Sequence, residues 1–181
     1  MAKMPFNPEP RILKDLIKEV EKGKLSFKFQ RKFRWKDAKV CDLLDSMYRG
    51  YPIGSLTILE LPDKRIIVDG QQRLSSLFAI MQKKIILDEK LYNKPIISFN
   101  PLNERFKEGN KVIKRDAEWI YDISEVFLNE TRILEYIMDK INLMSESRER
   151  AGLTLNDSEK QKIQKSIMNI LALENYVIPV L

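Results

Sequence analysis

Histidine is absent from the 181 residues, and cysteine occurs once, at Cys41. The first absence removes Ser-His-Asp and Cys-His nucleophilic sites, most zinc sites and any His-dependent nuclease from this chain. The second removes an internal disulfide, and Cys41, on the flank of an expected helix, reads as a small half-buried hydrophobe rather than a reactive thiol. Long apolar runs are also missing: Ile53 to Leu59 and Ile66 to Val68 fall far short of the roughly 20 residues of a membrane span, and the N-terminus lacks a signal-peptide core. The expectation is a cytoplasmic protein with no membrane partner. Neither an internal repeat nor a low-complexity segment occurs.

What is present is enough apolar residue, 44%, to bury a core for one domain or one domain and part of a second. Chemistry in such a chain rests on carboxylates, amides, Arg, Lys and backbone. The net charge of +6 is concentrated: Lys22 to Lys39 holds eight basic residues against Asp37 alone, leaving the remainder near −1. Charge gathered in one place points to an anionic ligand, nucleic acid or nucleotide, rather than to a uniformly basic coat.

Periodicity supplies the elements. Ile12, Leu16, Ile17 and Val20 recur at helical spacing, so Arg11 to Lys22 is expected as a helix ended by Gly23. Leu25 to Phe29 alternates weakly, as a short strand does. Val40, Leu43, Leu44 and Met47 mark a second helix, stopped by Gly50 and Pro52. Ile53 to Leu59 and Arg65 to Val68 form a hairpin around Asp63 and Lys64, and Leu74, Leu77, Phe78 and Met81 open another helix straight after it. Between Tyr92 and Tyr121 the prolines and Gly109-Asn110 suit short strands, Ile96 to Phe99 and Lys111 to Lys114. Helical stripes return at Leu134, Ile137, Met138 and Ile141, and at Ile163, Ile167, Ile170 and Leu171, with Ser145 to Ser158 as linker and Asn156-x-x-Glu159 as a cap. Tyr176 to Leu181 reads as a strand in need of a partner, with no polar tail, which leads to the expectation of a chain stopping before its natural end. The fold class is α+β, with a small mixed sheet and helices over residues 1–128 and a mainly helical extension over 129–181.

Asp69-Gly70-Gln71-Gln72-Arg73 falls between the hairpin and the next helix. Gly70 permits close backbone approach, and the helix it opens offers free N–H groups and a positive dipole end to a phosphate. Arg73 is placed to fork onto phosphate oxygens, Asp69 to hold Mg²⁺ or orient water, and Gln71 and Gln72 to bind a base or position the attacking water. The same letters also spell a capping box, Asp69-x-x-Gln72, and spacing leaves both readings open. Gly70 inside a helix costs up to about 1 kcal/mol, and Arg73 sets a cation near the positive dipole end; a cap needs neither. Upstream, Gln30 to Trp35 sets Arg31, Lys32 and Arg34 among aromatic rings, which suits phosphate contacts with stacking; the alternative is a solvated loop with Phe33 and Trp35 in the core. Lys28, Lys32, Arg34 and Trp35 are the candidate nucleic-acid contacts.

Phe29-Gln30-Arg31-x-Phe33-x-Trp35, then Met47-Tyr48-Arg49-Gly50-Tyr51-Pro52-Ile53-Gly54, then Val68-Asp69-Gly70-Gln71-Gln72-Arg73-Leu74 closely resemble the domain of unknown function 262. That family is the N-terminal domain of GmrSD-type modification-dependent restriction systems and of related phage-defence proteins. The resemblance implies a ParB/sulfiredoxin-like core in which Gly70-x-x-Arg73 matches a phosphate-binding motif. It also implies nucleoside triphosphate binding or hydrolysis, coupled to sensing or cutting foreign, often modified, DNA. Asp69, Gly70, Gln71, Gln72 and Arg73 then fall in the nucleotide site, and Gln30 and Arg31 in its companion motif. A further F-x-R-x-N-x-x-G pattern usual after the last strand is absent, and without histidine an HNH-type nuclease belongs to another domain or subunit. Two alternatives stand beside a Mg²⁺-dependent triphosphatase: a nucleic-acid-binding module without turnover, and a regulatory or interaction domain in which nucleotide only sets conformation.

Overall fold

A computed structural model describes residues 8–27, 35–83 and 95–181. Its first element is a strand where helical spacing suggested a helix. Glu9–Ile12 (β1) pairs antiparallel with Val177–Val180 (β7), Ile12 facing Val177 and Arg11 facing Ile178, so the first helix begins only at Leu13. Here long-range pairing overrides the local period. The strand at the end of the sequence thereby finds its partner at the beginning.

Helix α1, Leu13–Glu21, is too short to be stable alone and is held by its buried stripe of Leu13, Leu16, Ile17 and Val20. Each such side chain contributes roughly 1.5–3 kcal/mol when fully buried. Strand β2 follows at Leu25–Phe27, and helix α2 at Asp37–Tyr48 buries the expected Val40, Leu43, Leu44 and Met47. Cys41 is buried among them, and burial pushes its thiol up to about 12, the inert behaviour expected of it.

The hairpin forms from β3, Thr57–Glu60, and β4, Arg65–Asp69, and β4 also pairs in parallel with β2. The two sheets are linked through Leu56, which makes a parallel bridge to Val180. Leu56 N–H donates to Pro179 O at 2.9 Å, Leu181 N–H to Leu56 O at 2.8 Å, and Ile58 N–H to Leu181 O at 2.8 Å. Across these links the strands run β1, β7, β3, β4, β2. Leu25, Ile67 and Ile178 bury one face with α1 and with α3, Gln71–Gln82, whose Leu74 to Met81 is buried throughout. Glu19 of α1 ties two strands together, bonding Arg11 of β1 at 2.7 Å and Arg65 of β4 at 2.9 Å. Burial alone would raise its carboxyl; the two guanidinium groups outweigh that and hold it below its ordinary value.

Beyond β4 and α3, Ile97–Asn100 (β5) and Arg105–Glu108 (β6) form a second hairpin packed on α2 through Tyr48, Phe99 and Phe106. The strand expected at Lys111 to Lys114 is instead a 3-10 turn, Ile113–Arg115, because the Asn110 carboxamide accepts from the N–H groups of Val112 and Ile113 and bends the chain there. After α4, Ser124–Leu128, helix α5 runs over Ile133–Arg150, well into the expected linker, and α6 over Asp157–Ala172 begins with the anticipated Asn156–Glu159 capping box. The buried face of α5 is Ile137, Lys140, Ile141 and Met144, leaving Leu134 and Met138 exposed. Lys140 belongs inside because its Nζ donates to the carbonyls of Ala117 and Trp119, each at 2.6 Å. Among the described residues no helix is long and apolar enough to cross a membrane.

Candidate functional site

β4 delivers Asp69 to the rim of the sheet, where it pairs with Thr57 as the last residue of the strand. Gly70 then turns the chain with φ 81° and ψ 10°, a left-handed conformation, and α3 starts at Gln71. The helix cap is therefore Gly70, which has no side chain with which to cap the first turn. The capping box that Asp69 and Gln72 spell in sequence does not form: Asp69 is one residue too early, held in the strand by its ladder partner. The opening turn of α3 carries the positive end of the helix dipole.

Packing explains why residue 70 is glycine. A Cβ there would lie 2.2 Å from Cδ2 of Leu56, the same residue that bridges β3 to β7. Gly54 has the same demand for a different reason: with φ 81°, its missing Cβ would lie 2.9 Å from Nη1 of Arg73. The Gly50-to-Gly54 segment and the Asp69-to-Arg73 segment are thus two halves of one construction, which accounts for their joint appearance in the sequence.

The side chains at this junction differ sharply in freedom. Asp69 is 74% exposed and its nearest cation, Nη2 of Arg73, is 3.4 Å away. Arg73 is only 17% exposed, and its fork points back at the sheet: Nη1 donates to Ile53 O at 2.5 Å and Nη2 to Ser55 O at 2.8 Å. Gln71 donates from Nε2 to Ile67 O at 2.7 Å, which fixes its amide over the end of β4. Gln72 stands beside it, half-buried, its carbonyl accepting from Ser76 Oγ at 2.6 Å.

Of the companion segment, Lys28, Gln30, Arg31, Lys32 and Arg34 lie outside the described residues. β2 runs parallel to β4 with Phe27 opposite Ile67, so the last described residue before the segment lies at the Asp69 end of the sheet. Trp35, just after the segment, is half-buried against the core, with Lys39 Nζ 4.6 Å from the centre of its ring.

Asp69 is the carboxylate that this junction would offer a divalent ion, and among the described residues no group of three or more His, Cys, Asp or Glu residues gathers as a metal cage. That donor set suits Mg²⁺, which takes one or two carboxylates and completes its shell with phosphate oxygens and water. A separate concavity of about 540 Å³, lined by Trp119, Tyr136 and Lys140 among others, shares no residue with the junction. Burial lowers Lys140 there to about 8, but two carbonyls already take its N–H groups.

What sequence reasoning missed is the acceptor pair on Arg73. Backbone carbonyls leave no letter in a sequence, and the only trace was the pair of glycines flanking Tyr51-Pro52-Ile53.

No curated protein matches this sequence. The pattern of the GmrSD restriction endonuclease N-terminal domain does, over residues 13–180, from the first residue of α1 to the last of β7. With nearly its whole length matched, the chain belongs to the family of GmrSD restriction endonuclease N-terminal domains.

Proposed function

We propose that this domain binds a nucleoside triphosphate at the Gly70 end of α3 and hydrolyses it with Mg²⁺. It would do so in the cytoplasm, as the nucleotide-handling part of a restriction protein whose DNA-cutting centre is in another domain or subunit. The observation that carries this reading is the left-handed glycine that opens α3, flanked by the exposed carboxylate of Asp69. A helix opening of this kind is an anion site, and the carboxylate beside it is placed for an attacking water. Bound Mg²⁺ would offset charge on the phosphate oxygens. Asp69 would orient water toward the terminal phosphorus; a new P–O bond forms there, the bond to the bridging oxygen breaks, and inorganic phosphate leaves with the nucleoside diphosphate.

A second reading has its own support. The sequence concentrates a charge of +7 between Lys22 and Lys39, which favours DNA as a ligand. Titrating the protein separately with each ribonucleoside triphosphate in Mg²⁺ and with duplex DNA at increasing salt separates the two. The proposal expects saturable nucleotide binding followed by phosphate release. DNA binding that falls steeply with salt, with no nucleotide bound at all, would replace it with the nucleic-acid module. Nucleotide bound without phosphate release would replace hydrolysis with conformational control.

A further inference from the structure

Arg73 looks, from its place one turn into α3, like a phosphate ligand, yet both terminal nitrogens of its fork are engaged elsewhere. They meet the carbonyls of Ile53 and Ser55, on either side of Gly54, and the side chain is mostly buried. We propose that Arg73 is a positioning residue: it clamps the Ile53-Gly54-Ser55 loop under the opening of α3 and does not itself bind the anion. The functional half of this inference rests on the nucleotide reading above; the clamp itself does not.

Three features support it. A planar guanidinium suits two acceptors held a fixed distance apart, and a lysine has one nitrogen to offer. The loop lies so close on that plane that a Cβ at Gly54 would come within 2.9 Å of Nη1, so the contact is built for glycine below and arginine above. Turning the fork outward to a phosphate would leave two inward-facing carbonyls without their donor. The consequence of the clamp is felt at Leu56, the next residue along. Its amide and carbonyl join β7, and its side chain fills the space directly beneath Gly70. Fixing the loop therefore fixes the floor under the helix opening, and Nη2, 3.4 Å from Oδ2 of Asp69, holds that carboxylate beside it.

The test compares the full chain with Arg73→Lys, Arg73→Ala and Gly54→Ala. Amide hydrogen exchange at Leu56 and Ile58, measured without nucleotide, is expected to quicken by about tenfold or more in Arg73→Lys, since these amides bond into β7 only while the loop is seated. Wild-type exchange in that variant would overturn the clamp. With each ribonucleoside triphosphate and Mg²⁺, Arg73→Lys and Gly54→Ala are expected to lose turnover alike, by about tenfold or more, while affinity changes by less than about threefold. If instead Arg73→Ala loses about a hundredfold in affinity and Arg73→Lys restores it, the residue is an anion ligand and the proposal fails. Should Arg73→Ala not fold, the exchange and affinity of Arg73→Lys decide the question. A wild-type protein that binds no nucleotide would defeat the nucleotide reading, and the exchange result would still decide the clamp.

Discussion

Asp69→Ala is expected to lower phosphate release by roughly 10²- to 10⁴-fold, the range for removing a group that positions or deprotonates a nucleophile. The fold should survive, because the Asp69 carboxylate is 74% exposed and its ion pair with Arg73 is long at 3.4 Å. An exposed pair of that kind contributes little to stability. The same substitution is therefore expected to leave the melting temperature within a degree or two of wild type, where a surface change normally falls. Asp69→Asn sharpens the result: it keeps the shape and removes the charge, so it should be as inactive as alanine if the carboxylate works by holding Mg²⁺ or water. Wild-type turnover in both variants, measured as phosphate released over time, would remove Asp69 from the chemistry. Loss of turnover with a large fall in melting temperature would mean that its role is structural.

Gly70→Ala is expected to do the reverse, and to act through the fold first. Two costs combine at this position. The left-handed backbone is strained for any residue with a Cβ, by roughly 1–2 kcal/mol. The added methyl would lie 2.2 Å from Cδ2 of Leu56, far inside contact distance, and overpacking of a filled core typically costs about 1–3 kcal/mol. A total of about 2–5 kcal/mol lowers the melting temperature of a chain this size by roughly 5–13 °C. Leu56 is itself buried and tied to β7 on both sides of its peptide, so it cannot step aside cheaply. Thermal unfolding followed by circular dichroism reads the effect directly. If the stability loss is relieved by Leu56→Ala in the same chain, the clash is its source; a Gly70→Ala protein that melts like wild type would show that this packing is wrong.

The elements that could be read from the sequence are those whose signal is local. α2 and α6 follow apolar spacing closed by recognisable stops and caps, and the hairpin of β3 and β4 shows in its turn residues. The reading broke down where a distant partner decides. Arg11 and Ile12 continue a helical pattern in letters, but Val177 and Ile178 draw them into a strand. On α5 the apolar stripe pointed to Leu134 and Met138, and the structure rotates the helix so that a charged residue, Lys140, faces inward to two carbonyls. The junction itself was half visible. Gly70 as the turning point is where spacing put it, whereas the choice between capping box and open helix depended on Thr57, which keeps Asp69 in the strand, and on Leu56, which admits only glycine at the turn. Arg73 was placed on phosphate by its position along α3. Its actual partners are peptide carbonyls from a loop 18 and 20 residues earlier, and no side-chain pattern records them.

The opening of α3 is where the anion is expected to bind. An amide-resolved ¹H–¹⁵N spectrum of the isotopically labelled protein, recorded as each ribonucleoside triphosphate is added in Mg²⁺, tests it most directly. The backbone amides of Gly70, Gln71, Gln72 and Arg73 are expected to move first and furthest, with those of α5 and α6 unaffected. Saturating shifts confined to another part of the molecule, or none at any nucleotide concentration, would contradict it.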